Sequence, residues 1–210
     1  MVKRLKYIVY VVLVLSVVFF SFLGINFGIN TIERITRKVN YAELKEYCHK
    51  KGLSENYAVV VDFDLHSGRH RFFVCDLKQE KIVASSLCAH GVGKGSTSRK
   101  PVFSNEVGSL CSSLGHYKIT HKHRMASSGV MSFRLEGLDE TNSNAHQRGI
   151  LIHSAKMISY VRWGIFPFYL PINKRISSGC FAVDIDMMDI IDNLVKGENR
   201  AILLDARGPK

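Results

Sequence analysis

The sequence predicts a mainly β domain with a few helices, set behind an N-terminal transmembrane helix. Three observations point there. A basic N-terminus leads into a long uncharged apolar run. Short β-branched and aromatic runs, separated by turn residues, fill the middle of the chain. Only one segment, near the C-terminus, holds a strong helical period. With the apolar start set aside, the rest of the 210 residues suits one domain of ordinary size. At 46% hydrophobic and 22% charged, with four prolines, it is globular rather than disordered.

After Lys3, Arg4 and Lys6 the chain carries no charge from Tyr7 to Ile32. About 20 apolar residues span a bilayer as a helix. A cleaved signal would have a shorter apolar core and a small-residue cleavage site. Ser21 and Gly24 serve that purpose poorly, so an uncleaved anchor is favoured over a signal peptide. No cysteine stands at a lipobox, which argues against a lipoprotein. Arg34, Arg37 and Lys38 follow the span as closely as the leading cations precede it, which blunts the positive-inside rule. Anchors with a basic start usually translocate the chain on their C-terminal side, placing the domain outside the cytoplasm. The expected organisation is residues 1–30 as anchor, 31–56 as a helical juxtamembrane segment and 57–206 as the catalytic domain.

Asn40 followed by Glu43 has the form of a capping box, opening a helix through Leu44 and Tyr47 that stops at Gly52. The period then changes. Tyr57–Leu65, Arg71–Leu77 and Lys81–Cys88 read as antiparallel strands, with His66-Ser-Gly and Lys78-Gln-Glu as their turns. A Gly/Ser-rich stretch runs from Gly91 to Ser113. Further strands are expected at Gly115–Thr120, Val130–Leu135, Gly149–His153 and Arg200–Asp205. In the last helix, Asp186–Lys196, Met187, Ile190, Ile191, Leu194 and Val195 recur at i, i+3, i+4, i+7 and i+8; an aspartate opens it and Gly197 closes it.

The net charge of +11 calls for an anionic partner: lipid, wall polymer or nucleic acid. No nucleic-acid motif or basic stripe interleaved with aromatics is present, so nucleic acid is set aside. Cys48, Cys75, Cys88, Cys111 and Cys180 make an odd count, which in an exported protein leaves at least one free thiol. Up to two disulfides among the first four are open. No C-x-x-C pair points to metal or redox chemistry. His116, His121 and His123 lack a carboxylate or cysteine to complete a zinc set. The run from His90 to Ser96 lacks phosphate-loop spacing. No cofactor and no metal are expected, and nothing in the sequence signals an oligomeric state.

Two segments carry chemistry. Gly149-Ile-Leu-Ile-His153 is a strand-like run ending in a potential base, and Arg175-Ile-Ser-Ser-Gly-Cys180 puts a thiol on a backbone able to turn sharply. A nucleophile, a base and a cluster of backbone N–H groups are the parts of a cysteine acyl transferase. Taken alone, Cys180 is as readily a buried thiol and His153 a structural histidine.

Several stretches, in order, add a family resemblance to that reading. They are Arg71-Phe-Phe-Val-Cys-Asp-Leu, Ala89-His-Gly-Val-Gly, Phe103-Ser-Asn-Glu-Val-Gly-Ser, Ser112-Ser-Leu-Gly-His-Tyr, Phe133-Arg-Leu-Glu-Gly-Leu-Asp, Ile152-His153 and Ser178-Gly-Cys-Phe-Ala-Val183. From about Val59 to Asp205 the chain resembles the murein L,D-transpeptidase catalytic domain, in the branch with a Gly-Cys-x-Ala-Val nucleophile motif. The resemblance implies an L,D-transpeptidase-like β-sandwich acting on peptidoglycan stem peptides. It implies Cys180 as nucleophile, His153 as base and acid, and Ser177, Ser178 and Gly179 with Cys180 as the oxyanion turn. A backbone carbonyl near the histidine would orient it, and Ser154 begins the loop there. Arg134, Arg148, Arg175 and His90 are candidates for substrate binding. The implied reaction releases D-alanine from a stem tetrapeptide and forms a 3→3 cross-link; trimming as an L,D-carboxypeptidase and a silent wall-binding module are the alternatives. The implied location is the inner membrane, held by the N-terminal helix, with the catalytic domain in the periplasm or cell envelope.

The chain also departs from the family pattern. Ser154 replaces a glycine, Arg175 is displaced by Ile176, and Ser178 stands where the wider family has histidine. Between His153 and Cys180 lies an aromatic insertion, Trp163–Tyr169, with the character of a lid, a partner-facing loop or a flap on the sheet.

Overall fold

The computed structural model describes residues 2–124, 130–156, 158 and 177–209; the Trp163–Tyr169 insertion and Arg175 lie outside them. The chain divides into two units, Met1–Arg37 and Lys38–Lys210. The first is the helix α1, Val2–Thr36. Within it Lys3–Ser21 is long and apolar enough to cross a membrane. At ~1.5 Å per residue that stretch is about 28 Å long, close to a hydrocarbon core of about 30 Å. Its large apolar side chains, from Leu5 to Phe20, are exposed. The Ser16 hydroxyl donates to Val12 O at 2.8 Å, so this polar group is satisfied inside the helix, as lipid requires.

The second unit is built on one mixed sheet of eight strands: β1 (Tyr57–Asp62), β2 (Phe72–Asp76), β3 (Lys81–Ser86), β4 (Gly115–Arg124), β5 (Met131–Gly137), β6 (Leu151–Ser154), β7 (Phe181–Val183) and β8 (Ile202–Arg207). Their order is β3-β2-β1-β8-β4-β5-β6-β7. Only β1–β8 and β6–β7 are parallel. The mainly β reading holds, and its packed layers come from a single hydrogen-bonded sheet. That sheet curls until its edges meet: Ala89, just past β3, donates its N–H to Ala182 O of β7 at 2.8 Å. Ser86 Oγ adds a 2.8 Å bond to Asp184 Oδ2.

Alternation along the strands produces two cores. Val59, Val61, Phe72 and Val74 join Phe133, Ile152, Phe181 and Leu204 in the larger one. It is closed by the helix α3, Ile185–Gly197, which contributes Met187, Met188 and Ile191 and contacts both β3 and β6. Asp184 caps α3 by accepting Met187 N–H at 2.7 Å, so the helix starts one residue before the expected Asp186. The opposite faces of β1, β2 and β8 supply Ala58, Val60, Phe73, Cys75 and Leu203 to the second core.

Over that second core lies α2, Tyr41–Lys51. Asn40 Oδ1 accepts Glu43 N–H at 3.3 Å and Gly52 ends the helix at φ +64°, a left-handed conformation suited to glycine. The helix α2 is therefore a packed layer of the fold: Leu44 and Cys48 are fully buried in it. All five thiols are free, with Cys48, Cys75, Cys88 and Cys111 buried, so none of the disulfides that the count left open is formed. One strand escaped the sequence reading. The three residues of β7 are too few to show a period, and they overlap the Gly-Cys-x-Ala-Val motif.

Candidate active site

His153 and Cys180 come to neighbouring strands for a reason visible in the register. Ile152 pairs with Phe181 and His153 with Ala182 in the parallel β6–β7 ladder. Phe181 and Ile152 point into the main core. The alternating positions, Cys180 and Ala182 on one strand and Leu151 and His153 on the other, therefore share the opposite face. The antiparallel β5–β6 ladder sets Ser132 opposite His153 and Arg134 opposite Leu151, which puts Arg134 on that same face.

His153 is 7% exposed and its Nδ1 lies 3.0 Å from Ser154 O. A carbonyl only accepts, so this bond fixes the proton on Nδ1 and leaves Nε2 as the basic nitrogen. The orienting group at Ser154 is thus its backbone carbonyl. Burial holds the imidazole below its ordinary 6.5, with the Ser154 bond acting in the other direction. Cys180 is half-buried and its Sγ lies 3.7 Å from Gly149 O. Burial pushes the thiol above its ordinary 9.0, opposed by a backbone hydrogen bond at Leu151 and by the positive charge of Arg148. Both shifts run toward a neutral thiol and a neutral imidazole.

The turn before Cys180 is closely held. Ser177 Oγ accepts Gly179 N–H at 3.1 Å and donates to Cys180 O at 2.6 Å. Gly179 has φ +118°, and a Cβ there would stand 2.7 Å from Cys111 O and 3.0 Å from Ile150 Cδ1, so only glycine fits. Ser112 Oγ accepts Gly91 N–H and donates to Gly179 O, each at 3.0 Å. Val92 N–H bonds Ser177 O at 3.1 Å. Ser177 and the Gly179 N–H are spent on building the turn. Ser178 is exposed at its tip, and no hydrogen bond among the described residues engages the Ser178 or the Cys180 N–H.

Two of the residues singled out for substrate binding are engaged elsewhere. His90 is fully buried, its Nδ1 accepting from Arg71 Nη2 at 2.6 Å. Burial and the Arg71 charge hold it down at about 3. Arg71, also fully buried, donates to Cys88 O at 2.8 Å and Leu65 O at 3.1 Å and lies 4.9 Å over the Phe63 ring. The pair braces the segment that meets β7 from behind. Arg148 bonds the backbone of the 104–113 loop. Ser112 and Arg71 were not foreseen as site-building residues: each is an ordinary polar residue in sequence, and only the fold gives it these partners. No group of three or more His, Cys, Asp or Glu side chains able to hold a metal occurs among the described residues.

The curled sheet thus sets a thiol beside an oriented histidine on neighbouring parallel strands. A family model for the L,D-transpeptidase catalytic domain matches residues 31–203, and the chain belongs to that family. Solved structures similar to it include an L,D-transpeptidase from Mycobacterium smegmatis, 12% identical over 72% of this chain and 58% of that one, at a TM-score of 0.42. An L,D-transpeptidase from Stackebrandtia nassauensis is 12% identical over 81% and 65%, at 0.41. The helical cell shape determining protein Pgp2 from Campylobacter jejuni is 13% identical over 79% and 56%, at 0.43. The chain thus spans less than two thirds of the length of each. No curated protein sequence matches it.

Proposed function

We propose that the chain is a membrane-anchored L,D-transpeptidase that forms 3→3 peptidoglycan cross-links outside the cytoplasm through an acyl-enzyme on Cys180. The observation that carries this reading is the β6–β7 register with His153 Nδ1 tied to Ser154 O, which leaves Nε2 as the base on the face that carries the thiol. Family membership supplies the substrate class.

In the proposed reaction Cys180 Sγ attacks the carbonyl of the third stem residue as its proton passes to His153 Nε2. Charge developing on that carbonyl oxygen meets the Cys180 N–H. Collapse breaks the amide bond, His153 returns the proton to the nitrogen of departing D-alanine, and a thioester remains. An amine from a second stem peptide then loses a proton to His153 and attacks the thioester. The new amide forms and the thiol is regenerated. A neutral resting pair suits this sequence, because the histidine must accept a proton before it donates one. The helix α1 would hold the domain at the inner membrane, facing the periplasmic wall, and the +11 net charge suits an anionic envelope.

The test is incubation of the full chain in detergent with a carbapenem and with disaccharide-tetrapeptides. A covalent adduct on Cys180 and dimeric product are expected, both lost in Cys180→Ser. Tripeptide without dimer would make it an L,D-carboxypeptidase. No adduct on an intact thiol would make it a silent wall-binding module, and full activity in Cys180→Ala would sink the assignment.

A further inference from the structure

Arg148 sits on the turn that leads into β6, half-buried and without a carboxylate partner among the described residues. Its donors all go to one loop. Nη1 reaches Ser104 O at 2.8 Å and Ser113 Oγ at 3.2 Å. Nη2 reaches Ser109 Oγ at 3.4 Å and also Cys111 O. The same Nη2 lies 3.1 Å from the point where a Cβ on Gly179 would stand, so the guanidinium touches the turn that presents the thiol. Each of these acceptors is a neutral hydroxyl or backbone carbonyl.

We propose that Arg148 is the positioning residue of this site: it fastens the 104–113 loop against the Cys180 turn and supplies the fixed positive charge toward which the thiolate forms. The assignment rests on the reading of Cys180 as nucleophile. Other polar and titratable groups lie around the thiol on each neighbouring element. His153 is on β6, Arg134 on the same face of β5, and Asp184 follows β7, where it is taken by Ser86 and Met187. The Tyr117 hydroxyl of β4 bonds Ser113. Of the groups able to carry positive charge on these elements, burial disfavours the charged form of His153, and Arg134 is not among the charges that act on Cys180. That leaves Arg148, whose charge acts on Cys180 in the direction of thiolate. The loop thereby gains a second function, since holding it and tuning the nucleophile fall to one side chain.

The experiment measures the pH dependence of Cys180 alkylation by iodoacetamide, read by peptide mass spectrometry on the full chain in detergent. Arg148→Gln and Arg148→Met should raise the alkylation midpoint by roughly half a pH unit or more and slow the reaction below it by roughly 3-fold or more. Arg148→Lys should keep the wild-type midpoint. His153→Gln should raise it less than the neutral Arg148 variants do. A folded Arg148→Gln with the wild-type midpoint overturns the proposal. If neither neutral variant folds, His153→Gln decides: a rise of about one unit or more makes the imidazolium the charge partner and overturns it, and a smaller change upholds it. Alkylation needs neither substrate nor turnover. Failed cross-linking with these midpoints intact would reject the proposed function and leave this assignment standing.

Discussion

Ala89 and Ala182 face each other in an antiparallel bridge, the Ala89 N–H donating to Ala182 O at 2.8 Å. The contact joins the two ends of the eight-stranded sheet two residues beyond Cys180. Both residues are fully buried in a small cluster with Leu87 and Ile158, and their size lets the two backbones approach. Cys180 therefore stands where the sheet closes, and substitutions that disturb the closing turn are expected to reach it first.

Gly179→Ala is the sharpest of these. The new methyl would meet Cys111 O at 2.7 Å on a backbone at φ +118°. A destabilisation of about 1–3 kcal/mol is expected from the strained backbone, together with loss of carbapenem acylation. Thermal unfolding and adduct formation measured on one preparation check both. Wild-type acylation in this variant would show that the turn tolerates displacement.

Acid should destabilise the domain through His90. Its folded-state value of about 3 lies below the ordinary 6.5, so the unfolded chain binds the proton more readily than the folded one. Stability is fully present above 6.5 and falls as pH drops from there toward 3. The limiting slope is about 1.4 kcal/mol per pH unit for one proton. His90→Gln keeps an acceptor for Arg71 and removes the titration. Urea unfolding across this range should show a flatter profile in the variant, and identical profiles would assign the acid sensitivity elsewhere.

Thiol reactivity should separate by burial. DTNB on the native chain is expected to titrate Cys180 first. Burial pushes Cys48 up to about 11 and Cys75 and Cys88 up to about 12, where almost no thiolate exists at neutral pH. Denaturation should release all five thiols without reductant. A count below five would reveal a disulfide.

Removing α2 should unfold the catalytic domain. A chain starting at Lys38 keeps Leu44 and Cys48 over Val60, Phe73 and Leu203. One starting at Ser54 exposes that core, and losing even one buried leucine costs about 2–5 kcal/mol. Size-exclusion profiles of the two truncations test this, and a soluble monomer from the shorter chain would contradict it.

Much of this was legible in the sequence, for identifiable reasons. The strand segments of β1, β2 and β6 were readable because Val, Ile and Phe cluster between turn residues. The helix α3 was readable because Met187, Ile191 and Leu194 keep a helical period. His153 and Cys180 were found as parts, but their shared face depends on a parallel register that local pattern does not encode. The layer made by α2 was hidden because its buried side, Leu44 and Cys48, is too small to distinguish a packed helix from a spacer. Arg71 and Arg148 resembled surface cations. Their acceptors are backbone carbonyls and hydroxyls from other segments, and those have no signature in a one-dimensional pattern.

The seam between Ala89 and Ala182 has a dynamic consequence. Elsewhere the sheet is held by ladders of several residues, whereas this joint rests on a single bridge flanked by the Ser86–Asp184 and Val92–Ser177 bonds. Segments with so few cross-links open locally while the rest of a protein remains folded. On warming, the ring of strands should part there first, and hydrogen exchange at the Ala89 amide should run ahead of that in β1. Activity would then disappear in a chain that still looks native to circular dichroism.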